Sequence, residues 1–355
     1  MEEKVVNSFL IMDDEDVNFI WDNIQQLQII FHPLIAPDGK FNFEKFFEIK
    51  RNKPIILFVD RNILSGLLNF CEKGSLRDKE ESQILGVVMT WAEMNDVAIS
   101  AGLAVQERAT QTQNQEEGLK ELQKFLEIFE TYPGQIWLRI AEGRETEIIP
   151  IDFSGTIAKK INVDYSNGSD HYFMMVATML HLVSLYRRRD MKPVDKIIDF
   201  LCWTYDNLLL SQYALVYAIL LFTGQDKIKA PKNANTNDID RIVSGCENQA
   251  WDISYLSNWS TIYGSKEEYS KEFMFATNDY LLKRIFINTH GPNGVNGLLY
   301  EVFSKKDYNK IWDYIEERMK NRIKPDFGKD PQIYFKILIE KEKAELIKML
   351  ETGAE

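Results

Sequence analysis

Two short apolar runs of the chain each end close to an acidic residue. In PIILFVD, Asp60 directly follows a continuous apolar run, and in EFMFATND, Asp279 follows a second one. Continuous apolar runs of this length predict central strands that are covered on both faces. Because ligands of open α/β sheets bind at the carboxyl ends of the strands, the two carboxylates are expected to share one crevice. Clustered carboxylates repel one another unless a cation such as Mg²⁺ or Mn²⁺ binds them, so the pattern predicts a divalent-metal site.

Two further acidic residues lie in predicted helices. Glu107 follows a short predicted strand in ISAGLAVQERA, and Asp252 is surrounded by large apolar residues in QAWDISYLSNW. Because a buried charge without a partner is costly, Asp252 is either at a boundary with solvent or held there for a purpose. Simpler interpretations remain open for Glu107, which can pair with Arg108 or be replaced in its role by Glu93 or Asp96. An Asp at a strand end is also commonly a turn former or a helix N-cap.

The order of these acids resembles that of the PIN-like metal-dependent nucleases. FVDRNIL is similar to the opening motif of that family, in which an apolar strand is followed by Asp, a variable residue and a small polar residue. FATND resembles the closing pattern T-x-D, and the two helical acids fall between the two motifs in the order of the family. The resemblance implies a fold of the α/β class with a PIN-like parallel-sheet core.

The same resemblance implies a reaction and a set of site residues. Members of the family use one or two divalent ions to hydrolyse phosphodiester bonds, and usually leave a 5′-phosphate and a 3′-hydroxyl. The ions expected here are Mg²⁺ or Mn²⁺. The implied metal ligands are Asp60, Glu107, Asp252 and Asp279. The implied supporting polar residues are Asn62, Asn248 and Thr277.

The resemblance covers two separated parts of the chain, about 53–112 and 239–288. The chain between them has helical spacing of its apolar residues and predicts a large, mostly helical insertion, which a surface loop tolerates at modest entropic cost. Within it, WLRIAEGRETEIIPIDF is interpreted as a β-hairpin, and FLIM near the N-terminus as a strand. The expected organisation is an αβ flank at 1–51, a first core part at 52–112, the insertion at 113–238, a second core part at 239–300 and a helical tail at 301–355.

Composition indicates a globular protein that does not depend on disulfide bonds for its stability. Of the 355 residues, 45% are apolar and 27% charged, which is ordinary for a chain that buries a core. The three cysteines, Cys71, Cys202 and Cys246, form no close pair, so unpaired and buried thiols in a reducing, cytoplasmic compartment are expected. The most apolar stretch, 208–222, is too short for a bilayer and predicts a buried helix, so no membrane partner is expected.

The formal net charge of −12 does not attract phosphate backbones. A nucleic-acid enzyme with this charge needs a local basic surface, and RNA is expected as substrate more than DNA. The predicted nucleic-acid-binding residues are Arg187, Arg188 and Arg189. A second basic group in the tail is the alternative, and either group can equally be a solvated helix face. The tail group comprises Lys305, Lys306, Lys310, Arg318, Lys320, Arg322 and Lys324.

The N-terminal third also resembles a response-regulator receiver. FLIMDDED is similar to a first strand followed by the acidic pair Asp13 and Asp14, PIILFVD would end in the phosphoacceptor Asp60, and VVMT would supply Thr90. The Lys-Pro pair of that family after the AISAG turn is missing, and so is its MPxMDG loop, since the chain reads RNILSG there. A third alternative is a PIN-like scaffold without catalytic activity, and a protein partner is expected to bind through the helical insertion or the tail.

Overall fold

The computed structural model of the chain describes residues 10–159, 163–265 and 268–352. These residues form an α/β protein that is 67% helical, with fifteen α-helices and a small mixed sheet of four strands. The chain divides into two compact units. Unit 1 comprises Met1–Asn167 and Thr261–Asp279, and unit 2 comprises Gly168–Ser260 and Tyr280–Glu355.

Unit 1 contains all four strands of the described chain. They are β1 (Ile30–Phe31), β2 (Ile55–Val59), β3 (Ala98–Ser100) and β4 (Glu272–Ala276). Its helices are α1 (Asp14–Leu27), α2 (Phe43–Asn52), α3 (Arg61–Lys73), α4 (Lys79–Met94), α5 (Gly102–Thr112), α6 (Gln115–Thr131) and α7 (Gly134–Ala141).

The strand order in the sheet is β1-β4-β2-β3. β2 and β4 are the two central strands, as their continuous apolar sequences predict, and they run parallel with Val59 opposite Ala276. β3 is also parallel to β2, but β1 pairs antiparallel with β4, so the sheet is mixed and the expectation of a parallel sheet holds for only three strands. Parallel pairing puts the carboxyl ends of β2 and β4 side by side.

The helices of unit 1 pack through aromatic and small residues. Trp91 of α4 is fully buried and lies edge-on to Trp21 of α1, with ring centroids 5.9 Å apart. Gly86 lets α4 approach α7 closely, because a Cβ atom there would lie 2.5 Å from the backbone nitrogen of Ala141. Such a contact is too short for any side chain, so helix packing requires glycine at this position.

Helices are the regular secondary structure of unit 2 in its described part. Its helices are α8 (Asp170–Arg187), α9 (Pro193–Asn207), α10 (Gln212–Thr223), α11 (Ile239–Tyr263), α12 (Tyr280–His290), α13 (Gly294–Val302), α14 (Lys305–Asn321) and α15 (Pro331–Thr352). The last residues of α11 belong to unit 1. The apolar stretch 208–222 forms the buried helix α10, as predicted, with apolar residues buried around the whole helix. In the described ranges, the chain has no helix that is both long and apolar enough to cross a bilayer.

Two predicted local structures are wrong. The interpreted hairpin is instead the helix α7 followed by an irregular segment, because Trp137, Leu138 and Ala141 form a helical face that is buried in unit 1. The FLIM run begins at Phe9, outside the described residues, and residues 10–13 have no regular secondary structure. The segment 113–238 contributes to both units, since α6 and α7 lie in unit 1.

The cysteines are free, as expected. Cys71 and Cys246 are buried, and Cys202 is only half-buried. Burial raises the pKa of the Cys71 thiol to about 12, which keeps it protonated and unreactive at neutral pH.

Candidate carboxylate site

Asp60 lies at the junction of β2 and α3 and is almost completely buried, with 2% of its surface exposed. It is the N-cap of α3, and its Oδ1 accepts a hydrogen bond of 2.8 Å from the backbone N–H of Ile63. Its own N–H donates to the carbonyl of Ala276 over 3.0 Å, which extends the pairing of β2 with β4 by one residue. The strand end and the helix cap therefore fix this carboxylate at the edge of the sheet.

Thr277 connects the two strand-end acids. Its hydroxyl donates to Oδ2 of Asp60 and accepts the backbone N–H of Asp279 over 2.9 Å. Thr277 is fully buried, and its own N–H donates to the carbonyl of Ile29, so the threonine cannot move without disrupting the sheet. The expectation that Asp60 and Asp279 follow neighbouring strand ends is confirmed, and a single hydroxyl links the two positions.

Burial raises the pKa of Asp60 to about 6. The hydrogen bonds from the Thr277 hydroxyl and the Ile63 backbone stabilise the charged form, while the nearby charge of Asp279 raises the pKa further. Desolvation is the largest of these effects because the side chain is so thoroughly excluded from water. At neutral pH this carboxylate is held in its charged form at a cost in stability.

Glu107 lies on α5, the helix that follows the neighbouring strand β3. Burial raises its pKa to about 7, and the charges of Asp60 and Glu121 add to this rise. Arg61 lowers the pKa, as does a hydrogen bond of 3.0 Å from the Gln111 amide. Glu107 is therefore electrostatically coupled to Asp60, and the two acids titrate close to physiological pH. The simple alternative of a pair with Arg108 is not what the structure shows, because Arg108 pairs with Glu117.

An ion pair beside these acids was missed by the sequence analysis. The Arg61 guanidinium contacts Glu121 of α6 through two N–H groups, one of them 2.9 Å from Oε1 of the carboxylate. Both side chains are about four-fifths buried. Arg61 adjoins Asp60 in sequence and could have been suspected on that ground, but Glu121 lies in a helix whose spacing gave no such signal.

A cleft of about 350 Å³ borders this region of unit 1. Asn62, from the first turn of α3, and Asn278, between Thr277 and Asp279, lie on its wall, together with acidic residues of the first turn of α4. Asn62 is exposed, and its backbone N–H helps to stabilise the charged form of Asp60. The predicted supporting residues Asn62 and Thr277 therefore lie next to the strand-end acids.

The acidic residues of unit 1 are of the chemical type that binds divalent ions. Carboxylate oxygens are the ligands that Mg²⁺ and Mn²⁺ prefer, and the raised pKa values show that these acids gain from a nearby positive charge. Each ionised carboxylate has several lone pairs, so Asp60 can accept its hydrogen bonds and still bind a cation. In the described ranges, no three His, Cys, Asp or Glu side chains are already grouped closely enough to hold a metal ion.

The third predicted acid lies in unit 2. Asp252 is half-buried on α11, where the Gln249 amide donates to its Oδ2 over 2.9 Å, and its charge helps to raise the pKa of the buried Tyr217. Asn248 is exposed on the same helix. The strand-end acids and Glu107 all belong to unit 1, so the grouping of Asp252 with them stays a prediction.

The three arginines of the predicted basic triplet differ in burial and in their partners. Arg187 is buried, with 5% of its surface exposed, and its guanidinium donates to the carbonyls of Ala234 and Thr236 over 3.0 and 2.8 Å. The prediction that Arg187 contacts nucleic acid is therefore corrected, because these hydrogen bonds hold its donor groups inside unit 2. Arg188 is half-buried and pairs with Asp199, and Arg189 is exposed.

The alternative basic group in the tail is partly engaged within unit 2. Lys310 donates to Asp195 over 2.7 Å, Arg318 pairs with Asp206, and Arg322 donates to the carbonyl of Leu208 over 2.7 Å. These contacts join α14 to α9 and to the residue that follows it. They give three of the tail cations a structural partner and leave less positive charge for a phosphate backbone.

The features that resembled a receiver have different roles in the structure. Asp13 is the N-cap of α1 and accepts the backbone N–H groups of Glu15 and Asp16, while Asp14 is the first residue of that helix. Thr90 is buried within α4 rather than placed at a strand end. The arrangement gives no support to a receiver whose phosphoacceptor is Asp60.

No family model, curated protein or solved structure matches the chain.

Proposed function

We propose that the protein is a divalent-metal-dependent nuclease with a PIN-like core, whose catalytic carboxylates are Asp60, Glu107 and Asp279 of unit 1. The observation that carries the proposal is the position of Asp60 and Asp279 after adjacent parallel strands, where the Thr277 hydroxyl donates to Asp60 and accepts the backbone N–H of Asp279. The three acids come from the chain segments that follow three neighbouring parallel strands, which is the usual position of a ligand site in an open α/β sheet.

Burial raises the pKa values of both Asp60 and Glu107, and a cation beside them would offset this rise. A carboxylate that only caps a helix gains stability when it is charged, and its pKa falls. Asp60 caps α3, yet its pKa is raised to about 6 and that of Glu107 to about 7. A bound divalent ion would reverse both shifts, because its charge favours the deprotonated acids.

Held by Asp60, Glu107 and Asp279, Mg²⁺ or Mn²⁺ would supply a water of lowered pKa and positive charge for the phosphate group that is hydrolysed. Asp60 would provide a fixed ligand, because the Ile63 N–H and the Thr277 hydroxyl hold its side chain. Glu107, on a longer side chain, would lose its proton and turn toward the ion. Thr277 would hold the Asp60 carboxylate and the Asp279 backbone at a fixed distance from each other.

The proposed substrate is single-stranded nucleic acid, with RNA favoured over DNA. The resemblance of FVDRNIL and FATND to the nuclease motifs provides the reaction class, and the acidic surroundings of the site explain why the ion is required. Phosphate and clustered carboxylates repel each other, so the substrate can approach only when positive charge lies between them.

The experiment is cleavage of end-labelled single-stranded RNA and DNA with Mn²⁺, Mg²⁺ or EDTA. We expect cleavage with either ion and none with EDTA, and we expect Asp60→Asn and Asp279→Asn to lose at least about a hundredfold in rate. Asp38→Asn is the matched control, since Asp38 is an acid of unit 1 that caps only a turn. Cleavage that is equally fast in Asp60→Asn and wild type would overturn the assignment. Absence of cleavage under every condition would favour the non-catalytic scaffold.

A further inference from the structure

A second cavity, of about 600 Å³, lies inside unit 2. It is bordered by the end of α8, the beginning of α9 and the end of α10. Three cationic side chains line it, those of Arg187, Arg189 and Lys196, and among the described lining residues there is no carboxylate. In a chain with a net charge of −12 this concentration of positive charge is a local exception.

Lys196 is the most unusual of the three cations. Only 8% of its surface is exposed, and its Nζ donates to the backbone carbonyl of Tyr186 over 3.2 Å. The ammonium group also lies 5.4 Å from the centre of the Phe222 ring. Burial lowers the pKa of this lysine and the charge of Arg188 lowers it further, whereas the nearby carboxylate of Asp190 opposes the shift. An ammonium group has three N–H donors and is costly to bury, so an anion at this position would stabilise it.

The other two cations differ in exposure. Arg187 is held by the carbonyls of Ala234 and Thr236, which makes it a fixed part of the wall. Arg189 is exposed and belongs to the rim. Leu221 and Phe222 add an apolar surface next to the cations. The cavity thus combines positive charge with an apolar wall, and its size is typical of sites for small organic ligands.

We propose that this cavity binds the phosphate group of a nucleotide, with Lys196 and Arg189 as phosphate contacts and with the base against the apolar wall formed by Leu221 and Phe222. Ammonium and guanidinium groups are the usual partners of phosphate oxygens, and aromatic side chains accept any base by stacking. The phosphate can belong to a free mononucleotide or to the 5′ end of a strand. The proposal does not depend on the nuclease activity, since the cavity residues and the strand-end acids belong to different units.

The test is isothermal titration in EDTA, which stops any metal-dependent hydrolysis. The ligands are AMP, adenosine, inorganic phosphate and one short oligonucleotide with and without a 5′-phosphate. We expect AMP to bind and adenosine to bind at least about tenfold more weakly, since a hydrogen bond to a charged group changes affinity by roughly that factor or more. Tighter binding of AMP than of the phosphorylated oligonucleotide identifies a free nucleotide as the ligand, and the reverse order identifies a strand end.

Variants separate the cavity from general charge effects. Lys196→Met keeps the length of the side chain and removes the ammonium group, and we expect it to weaken AMP binding about tenfold or more while Lys196→Arg restores part of it. Arg189→Gln should weaken binding in the same direction, and it decides the matter if Lys196→Met fails to fold. Lys306→Met, on the exposed start of α14, is the matched control and should bind AMP as wild type does. Equal affinity for AMP and adenosine, unchanged affinity in the folded Lys196 and Arg189 variants, or no binding of any phosphorylated ligand would overturn the proposal.

Discussion

Replacement of Asp60 by Asn should make the protein more stable at neutral and alkaline pH. Asp60 has an ordinary pKa of 3.8 and a pKa of about 6 in the folded chain. Because the folded state holds the proton more tightly than the unfolded state, stability is highest below pH 3.8 and declines as pH rises through about 6. Above pH 6 the charged carboxylate remains in a buried position and lowers the free energy of unfolding.

The magnitude follows from the gap between the two pKa values. At about 1.4 kcal/mol for each pKa unit, the charge of Asp60 costs about 3 kcal/mol at pH 8. The side chain is only 2% exposed, so solvent screening does not reduce this figure much. Asn has the shape of the neutral acid and can still cap α3 by accepting from Ile63, so the variant should recover most of that energy. About 2 kcal/mol of the difference should disappear between pH 8 and pH 4.5.

The assay is urea unfolding of wild type and Asp60→Asn at both pH values in EDTA, followed by tryptophan fluorescence. Asp78→Asn is the matched control, since Asp78 caps α4 with the same kind of hydrogen bond but is exposed. We expect the control to change the free energy of unfolding by less than about 0.5 kcal/mol at either pH. If Asp60→Asn is no more stable than wild type at pH 8, then the buried charge costs little and the electrostatic reasoning is refuted.

Three further outcomes are expected. Thr277→Val should lower the free energy of unfolding by about 2–4 kcal/mol at pH 8 in urea titrations, because the Asp60 carboxylate and the Asp279 N–H both lose the same partner; an effect below about 1 kcal/mol would contradict the bridging role. The affinity for Mn²⁺ should rise as pH increases from 6 to 8, because Glu107 must lose a proton with a pKa of about 7 before it can bind an ion, and titration calorimetry of Glu107→Gln should show a flatter profile. Arg187→Ala should cost about 3 kcal/mol of stability through the lost carbonyl hydrogen bonds, whereas Arg189→Ala, at an exposed position, should cost less than about 0.5 kcal/mol, as measured by chemical unfolding. Equal costs at the two arginines would contradict the assigned burial.

The sequence predicted the neighbouring positions of Asp60 and Asp279 for a simple physical reason. Continuous apolar runs form central strands, and parallel central strands end on the same side of a sheet. No knowledge of the rest of the fold was needed. The predicted buried helix over 208–222 was equally accessible, since a run apolar on all sides can only be buried or cross a membrane.

Other parts of the structure depend on contacts that sequence spacing does not record. The two-residue strand β1 follows a helical pattern directly, and only its pairing with β4 reveals it. The helix α7 has only 8 residues, so the helical spacing of its apolar residues is visible over about two turns. The alternation of polar and apolar residues that follows it predicted a hairpin. Short segments of this kind take their structure from the surface that they pack against.

Contacts around the candidate site and the basic triplet also could not be predicted from sequence spacing. The ion pair of Arg61 and Glu121 joins residues that lie far apart in sequence on different helices. Arg187 belongs to a basic triplet that looks like a surface feature, and only the carbonyls of Ala234 and Thr236 show why it is buried. A guanidinium group can satisfy backbone carbonyls as readily as phosphates, and sequence alone does not distinguish these partners.

The central claim is that Asp60 and Asp279 bind a divalent ion, and the most direct measurement is Mn²⁺ binding followed by electron paramagnetic resonance. The free-ion signal reports the amount bound without reference to any substrate. We expect wild type to bind one or two ions at pH 8, with competition by Mg²⁺, and we expect the double variant Asp60→Asn, Asp279→Asn to lose this binding while remaining folded. Wild-type protein that binds no Mn²⁺, or a double variant that binds as much as wild type, would contradict the claim.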